Sequence, residues 1–290
     1  MHWIFEPGLW SNPAVRSGLG VGAVVAAISA FVGLFTVVRS QSFAGHALAD
    51  VATAGGAGAG LAGVSTLAGF VVGSILGAGA IEAFGVQRVR QRDVATGVVL
   101  GGATGFSALF LYLITLHSSR TGSTQLILFG SLFSLPTSTA PVVLLIAGAV
   151  ALVLVVLGRT LLFVTVSPET ARARGVAVAR VGLIFTVMVA VTVGLSSIVV
   201  GSVLSTALLI GPPAAALRLG RRWSSTVLVA MALGVGAVVL GIVMSYDSFY
   251  WWPSHRSLPV SSCVVTLVVL ELLLTGAIRA ARRSKPRVVA

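Results

Sequence analysis

His46 and Asp50 lie four residues apart in the otherwise apolar run AGHALADVATAGG. At about 3.6 residues per turn they share one helix face, one turn apart. A neutral imidazole and a carboxylate on one face form a half-site for a divalent first-row metal. The same spacing also suits a plain polar pair, with Asp50 accepting a hydrogen bond from His46. Two ligands do not complete a site, so the metal reading needs others from another helix, another subunit or water. Glu271, near the middle of the last apolar run, could add a ligand, carry a coupled proton or make an interhelical hydrogen bond. There is no GxxxxGK[ST] loop, so the chain hydrolyses no nucleotide by that route. The absence of HExxH counts against an intramembrane zinc protease. Cys263 is the single cysteine and reads as a small apolar filler.

The elements that must position these groups follow from composition. The 290 residues include 19 basic and 7 acidic side chains, and 57% are hydrophobic. About a quarter of a soluble domain is charged; here the fraction is 9%. Too little polar surface exists for a soluble enzyme, a disordered chain or a nucleic-acid binder, which leaves a polytopic membrane protein. The net charge of +12 comes almost wholly from arginines clustered between apolar runs, the mark of cytoplasmic loops. Met1–Trp10 lacks a basic leader and contains Glu6 and Pro7, so no cleavable signal peptide is expected.

A helix crosses the bilayer in about 20 apolar residues. The basic clusters fall at Arg39; Arg88, Arg90 and Arg92; Arg159 to Arg180; Arg218, Arg221 and Arg222; and Arg279 to Arg287. Successive clusters are separated by 48, 66, 37 and 56 residues, room for two spans each time. All five clusters can then share the cytoplasmic side. One span precedes Arg39, giving an all-α bundle of about nine transmembrane helices, with the N-terminus outside and the C-terminus inside. The predicted spans are 18–38, 43–60, 62–84, 95–116, 140–157, 181–199, 202–217, 225–245 and 258–278. If Ser202–Leu217, which contains Pro212 and Pro213, is re-entrant, the count is eight. Gly55–Gly60 is read as the turn between the second and third spans. Leu126–Leu135 is too short to cross and reads as interfacial or re-entrant. Trp3, Phe5 and Trp10, and Phe249 to Trp252, read as outer aromatic belts. Glu82 and Asp93 read as headgroup-level charges, while His117, Asp247, His255 and Arg256 fall in outer loops. Spaced glycines such as Gly73/Gly77, Gly97/Gly101/Gly105 and Gly234/Gly241 read as close helix packing. The chain is one membrane domain, 1–290, with an outer interfacial segment 1–17, a cytoplasmic coupling loop 158–180 and a basic tail 279–290.

Three segments carry a resemblance. Arg39–Gly56, RSQSFAGHALADVATAGG, resembles the signature R-x-x-S-L-x-G-D-A-[IL]-S-H-A-x-L-x-G of the permeases of metal-ion (zinc, manganese or iron) ABC transporters. Val200–Leu219, VGSVLSTALLIGPPAAALRL, is similar to that family's V-G-x-L-L-x-x-A-L-L-I-x-P-A-A-x-A-R-L. Val166–Val176, VSPETARARGV, is similar to its F-D-P-E-x-A-x-A-x-G-[IV]. A weaker echo, FGSL at Phe129–Leu132, lies in the right order between them.

The resemblance implies an ABC-importer permease fold, with two copies of the chain forming a pore in the plasma membrane. It implies cytoplasmic ATP-binding-cassette subunits that hydrolyse ATP, so the chain itself is a transport subunit and no enzyme. It further implies an extracytoplasmic metal-binding protein, a divalent ion as cargo and no permanently bound cofactor. His46 and Asp50 would contact the ion. Pro168, Glu169, Ala171, Arg172 and Gly175 would couple to the ATPase, and Pro212 and Pro213 would serve gating or packing. There are departures. His46 stands where the family has Asp and Asp50 where it has His, so the ligand order is reversed. Ser167 replaces an Asp, and Pro213 adds a second proline. The rivals are an iron-chelate or vitamin ABC permease, a proton-coupled secondary transporter using Glu271, and a structural subunit without a path.

Overall fold

The structure is a computed structural model that describes residues 13–84, 89–117, 127–130, 132, 139–220, 222–251 and 258–284. Among these residues there are nine long helices, one short helix and no strand. The long ones are α1 (Pro13–Val38), α2 (Ser42–Leu61), α3 (Thr66–Phe84), α4 (Val89–His117), α5 (Thr139–Val166), α7 (Val178–Val199), α8 (Ser202–Leu219), α9 (Trp223–Trp251) and α10 (Val260–Ser284); α6 (Pro168–Ala173) is the short one. Each predicted span coincides with one long helix. Seven helices are long and apolar enough to cross a membrane, and α8 is a shorter apolar helix. The remaining long helix, α2, is diluted by His46, Asp50 and its glycines. The chain is a multi-pass membrane protein.

Some boundaries differ from expectation. Gly55–Gly60 is not a turn; α2 runs through it, and the turn falls at 62–65, where the Ala62 N–H donates to Gly58 O. The glycines instead admit α3. A Cβ at Gly55 would lie 2.3 Å from the Gly69 carbonyl oxygen, and one at Gly73 would lie 2.9 Å from Gly55 Cα. In lipid, where apolar burial drives no association, such backbone approach supplies the packing. Gly77, Gly234 and Gly241 also face neighbours, whereas Gly97, Gly101 and Gly105 on α4 meet nothing within 4 Å. The expected loop 158–180 is mostly helical: the end of α5, then α6 and the start of α7. Asp247 is not in a loop but in α9, and only 1% exposed. The outer segment 1–17 is already helical from Pro13.

The centre of the bundle is α1 and α7, whose apolar windows are 67% and 83% buried, against 17–39% for the other apolar spans. α8 lies against α1 so closely that a Cβ at Gly33 would overlap the Leu209 carbonyl. It does not begin free at the membrane surface. Residues 127–129 form one helical turn, and Gly130 and Gly201, with φ of +85° and +106°, meet backbone to backbone. A Cβ on either would fall within 2.6 Å of the other's backbone segment. The Ser261 hydroxyl lies between the Val200 carbonyl, at 2.8 Å, and that of Phe129. Residues 127–130 therefore support the start of α8. Phe249, Tyr250 and Trp251 are 37–47% exposed at the end of α9, as a belt requires. Trp3, Phe5, Trp10, Trp252, His255 and Arg256 lie outside the described residues, and Cys263 is buried.

Gly55→Ala is expected to destabilise the purified protein by about 1–3 kcal/mol, because backbone must move to admit the methyl group. Gly148→Ala, with nothing within 4 Å, should stay within about 0.5 kcal/mol of the parent. Thermal unfolding in detergent measures both, and equal stability of the two variants would contradict the packing account.

Candidate functional site

α2 places Asp50 eight residues after Ser42 and eleven before Leu61, about 12 Å and 17 Å along its axis. The carboxylate is thus near the middle of α2, and His46 is one turn closer to the Arg39 end. Ala47, Leu48 and Ala49 between them are fully buried. His46 itself is exposed and Asp50 half-buried in the single chain. The two share a face but do not bond to each other, so the plain polar pair is not formed. Asp50 Oδ2 accepts a hydrogen bond from Thr104 Oγ1 of α4 at 2.9 Å. The Ser107 hydroxyl of α4 donates to the Asp50 backbone carbonyl at 3.1 Å. His46 Nδ1 lies 3.3 Å from Thr206 Oγ1 of α8. Two hydroxyl-bearing helices thus hold the pair from either side. These threonines escaped the sequence reading, because hydroxyls in apolar helices usually return to their own backbone.

No group of three or more His, Cys, Asp or Glu side chains gathers anywhere among the described residues. Glu271 therefore does not join His46 and Asp50 within one chain. It lies in α10, with Oε2 buried and without a hydrogen-bond partner among the described residues. Next to it, Arg218 Nη1 of α8 donates to the Leu272 carbonyl at 2.7 Å. Pro212 and Pro213 are buried within α8, which continues through them. Their missing N–H groups leave the Leu208 and Leu209 carbonyls without their usual donors, at the stretch that α1 approaches through Gly33.

Just before α2, Arg39 is more than a topology marker. Its Nη1 donates to Thr165 Oγ1 at 3.2 Å, and its guanidinium carbon sits 5.1 Å from the centre of the Phe185 ring. One half-buried side chain thus ties the α1–α2 corner to the end of α5 and to α7. Beside it, Thr186 Oγ1 donates to Glu82 Oε1 at 2.8 Å; Glu82 is an interhelical acceptor rather than a bare headgroup-level charge. Three residues beyond Thr165, α6 opens with Pro168 in its first turn, followed by Glu169. Pro168, Glu169, Arg172 and Gly175 are exposed, while Ala171 is fully buried and pins the helix to the body. The Gly175 and Val176 N–H groups close it on the Arg172 and Ala171 carbonyls, each at 3.0 Å.

A family model, the ABC 3 transport family, matches residues 11–278. The chain belongs to this family. The resemblance carried by Arg39–Gly56, Val166–Val176 and Val200–Leu219 is borne out. The chain is 29% identical over 217 residues to the high-affinity zinc uptake system membrane protein ZnuB of Haemophilus influenzae, covering 74% of this chain and 80% of that one. It is 27% identical over 218 residues to the manganese transport system membrane protein MntC of Halalkalibacterium halodurans, covering 75% and 74%. The fold is that of a chain in the structure of PsaBC from Streptococcus pneumoniae in complex with Fab. The TM-score is 0.81 with 24% identity, over 96% of both chains.

Arg39→Met should cost about 2 kcal/mol, the scale of a charge-assisted hydrogen bond plus a cation–π contact. Thr165→Val should add little on top of it, since the two residues share one contact. Additive losses in thermal unfolding of the single and double variants would show that the pin does not exist.

Proposed function

We propose that this chain is the membrane-spanning permease subunit of an ATP-driven importer of divalent transition-metal ions, working as a pair of copies by alternating access. The observation that carries the reading is the His46/Asp50 face within the apolar bundle, with Asp50 near the middle of α2, held by hydroxyls of α4 and α8. Ionisable side chains within membrane helices face a bundle interior or a water-filled path rather than lipid. The exposure of His46 in the single chain therefore calls for cover. A second copy supplies it, with the bare Gly97, Gly101 and Gly105 face of α4 suited to close helix approach.

Two ligands per copy make four at the junction, enough for a small dication and still open to exchange. A transport site has to release its ion, so such sparse ligation suits it better than a closed structural cage. The relatives, membrane proteins of a zinc uptake system and of a manganese transport system, favour a bare ion over an iron chelate or vitamin. The N-terminus lies outside, where an extracytoplasmic metal-binding protein delivers the ion, and the C-terminus lies inside. Separate ATP-binding-cassette subunits dock on α6 through exposed Pro168, Glu169 and Arg172. Their motion reaches α2 through the α5 end that Arg39 holds, and α8 yields at Pro212 and Pro213.

Replacing both His46 and Asp50 by Ala should abolish accumulation of labelled Zn and Mn in a reporter strain while the complex still assembles; unchanged uptake would falsify the site assignment. Glu169→Arg should cut transport-linked ATP turnover several-fold, because it reverses a charge on the docking helix. Turnover at the parental rate would remove α6 as the docking point.

A further inference from the structure

The candidate ligands are each tied at one atom and open at another. Among the described residues, His46 has a partner at Nδ1 only, and the Asp50 carboxylate has one at Oδ2 only. His46 Nε2 and Asp50 Oδ1 are left without hydrogen bonds. The tied atoms are held by different helices, α8 through Thr206 and α4 through Thr104. Among the described residues Thr206 makes no other hydrogen bond, and the other one of Thr104 is to the Leu100 carbonyl of its own helix.

A neutral imidazole carries one N–H and one lone pair, on different nitrogens. If the Thr206 hydroxyl accepts the Nδ1 proton, the lone pair stands on Nε2, ready for a cation. If the hydroxyl donates instead, the proton sits on Nε2 and blocks it. Histidines that ligate metals regularly give their other N–H to an oxygen acceptor, which fixes both tautomer and ring orientation. Thr206 is placed to be that acceptor.

Thr104 has a different arrangement. Its single hydroxyl proton has two acceptors in range, Asp50 Oδ2 at 2.9 Å and the Leu100 carbonyl of its own helix at 2.8 Å. It can satisfy one at a time. An ionised carboxylate is the stronger acceptor, so the proton goes to Asp50 while no cation is present. Once a cation takes up the carboxylate charge, the proton can return to Leu100. The hydroxyl steadies the empty carboxylate in a medium that would otherwise leave it poorly solvated, yet leaves Oδ1 open.

We propose that Thr206 and Thr104 are positioning residues for the transported dication, Thr206 by presenting the Nε2 lone pair of His46 and Thr104 by holding Asp50 between ions. This rests on the reading of His46 and Asp50 as the contact pair, so the test has to separate the two claims. The measurement is uptake of radiolabelled Mn²⁺, over a range of concentrations, into cells carrying the assembled transporter. The variants are Thr206→Val, Thr206→Ser, Thr104→Val, Thr104→Ser and His46→Ala. The expected result is a KM raised about tenfold or more in each Val variant, the scale seen when a ligand's supporting partner is lost. Each Ser variant, which keeps the hydroxyl, should return KM to near the parental value.

A merely structural threonine would lower the maximal rate and leave KM unmoved. A parental KM in a Val variant, with His46→Ala inactive, overturns the role given to that threonine and leaves the contact pair standing. A Ser variant as impaired as its Val counterpart overturns it equally. If His46→Ala itself transports with parental KM and rate, the contact pair falls and takes this proposal with it.

Discussion

A carboxylate near the middle of an otherwise apolar helix, with an imidazole one turn nearer its start, is the constraint on which the rest of this structure turns. A charged side chain there costs about 3 kcal/mol or more unless protein or water attends it. The chain meets that demand with hydroxyls rather than counter-charges: Thr104 and Ser107 for Asp50, Thr206 for His46. Hydroxyls stabilise without neutralising, and they leave lone pairs and oxygens available. An arginine beside Asp50 would have solved the solvation problem by neutralising the carboxylate.

Close backbone contact makes this arrangement possible. α2 and α3 meet through Gly55, Gly69 and Gly73, and α1 meets α8 through Gly33. The start of α8 is propped by the Gly130–Gly201 contact and by Ser261. Thr206 sits in the second turn of that helix and reaches His46 only because α8 begins there. Further down, the two prolines loosen the same helix where it packs on α1. The helix that holds His46 is thus also the one that the prolines loosen. Arg39, just before α2, ties the His46 end of that helix to the segment leading into α6.

Much of this was legible in the sequence. Charge clusters and apolar run lengths located all nine long helices, because bilayer thickness and the cost of burying arginine leave few alternatives. The shared face of His46 and Asp50 followed from helical period alone. What escaped shows where one-dimensional reading fails. GGAGAG looked like a turn because glycine breaks soluble helices; in a membrane bundle it marks where another backbone approaches. Asp247 sat beside an aromatic-rich stretch and read as loop, yet α9 carries it into a buried position. Arg39 read as a topology marker, since nothing local announces Thr165 and Phe185, more than a hundred residues away. Thr104 and Thr206 were equally silent, being ordinary hydroxyls until the fold brings α4 and α8 to α2.

The most direct test of the central claim is anomalous scattering from crystals of the assembled transporter loaded with Zn²⁺. The account predicts a peak at the junction of the two copies, roughly 2.0–2.2 Å from His46 Nε2 and from an Asp50 oxygen. A peak elsewhere along the path, with the position-46 ring and the position-50 carboxylate both turned toward acyl chains, would contradict it.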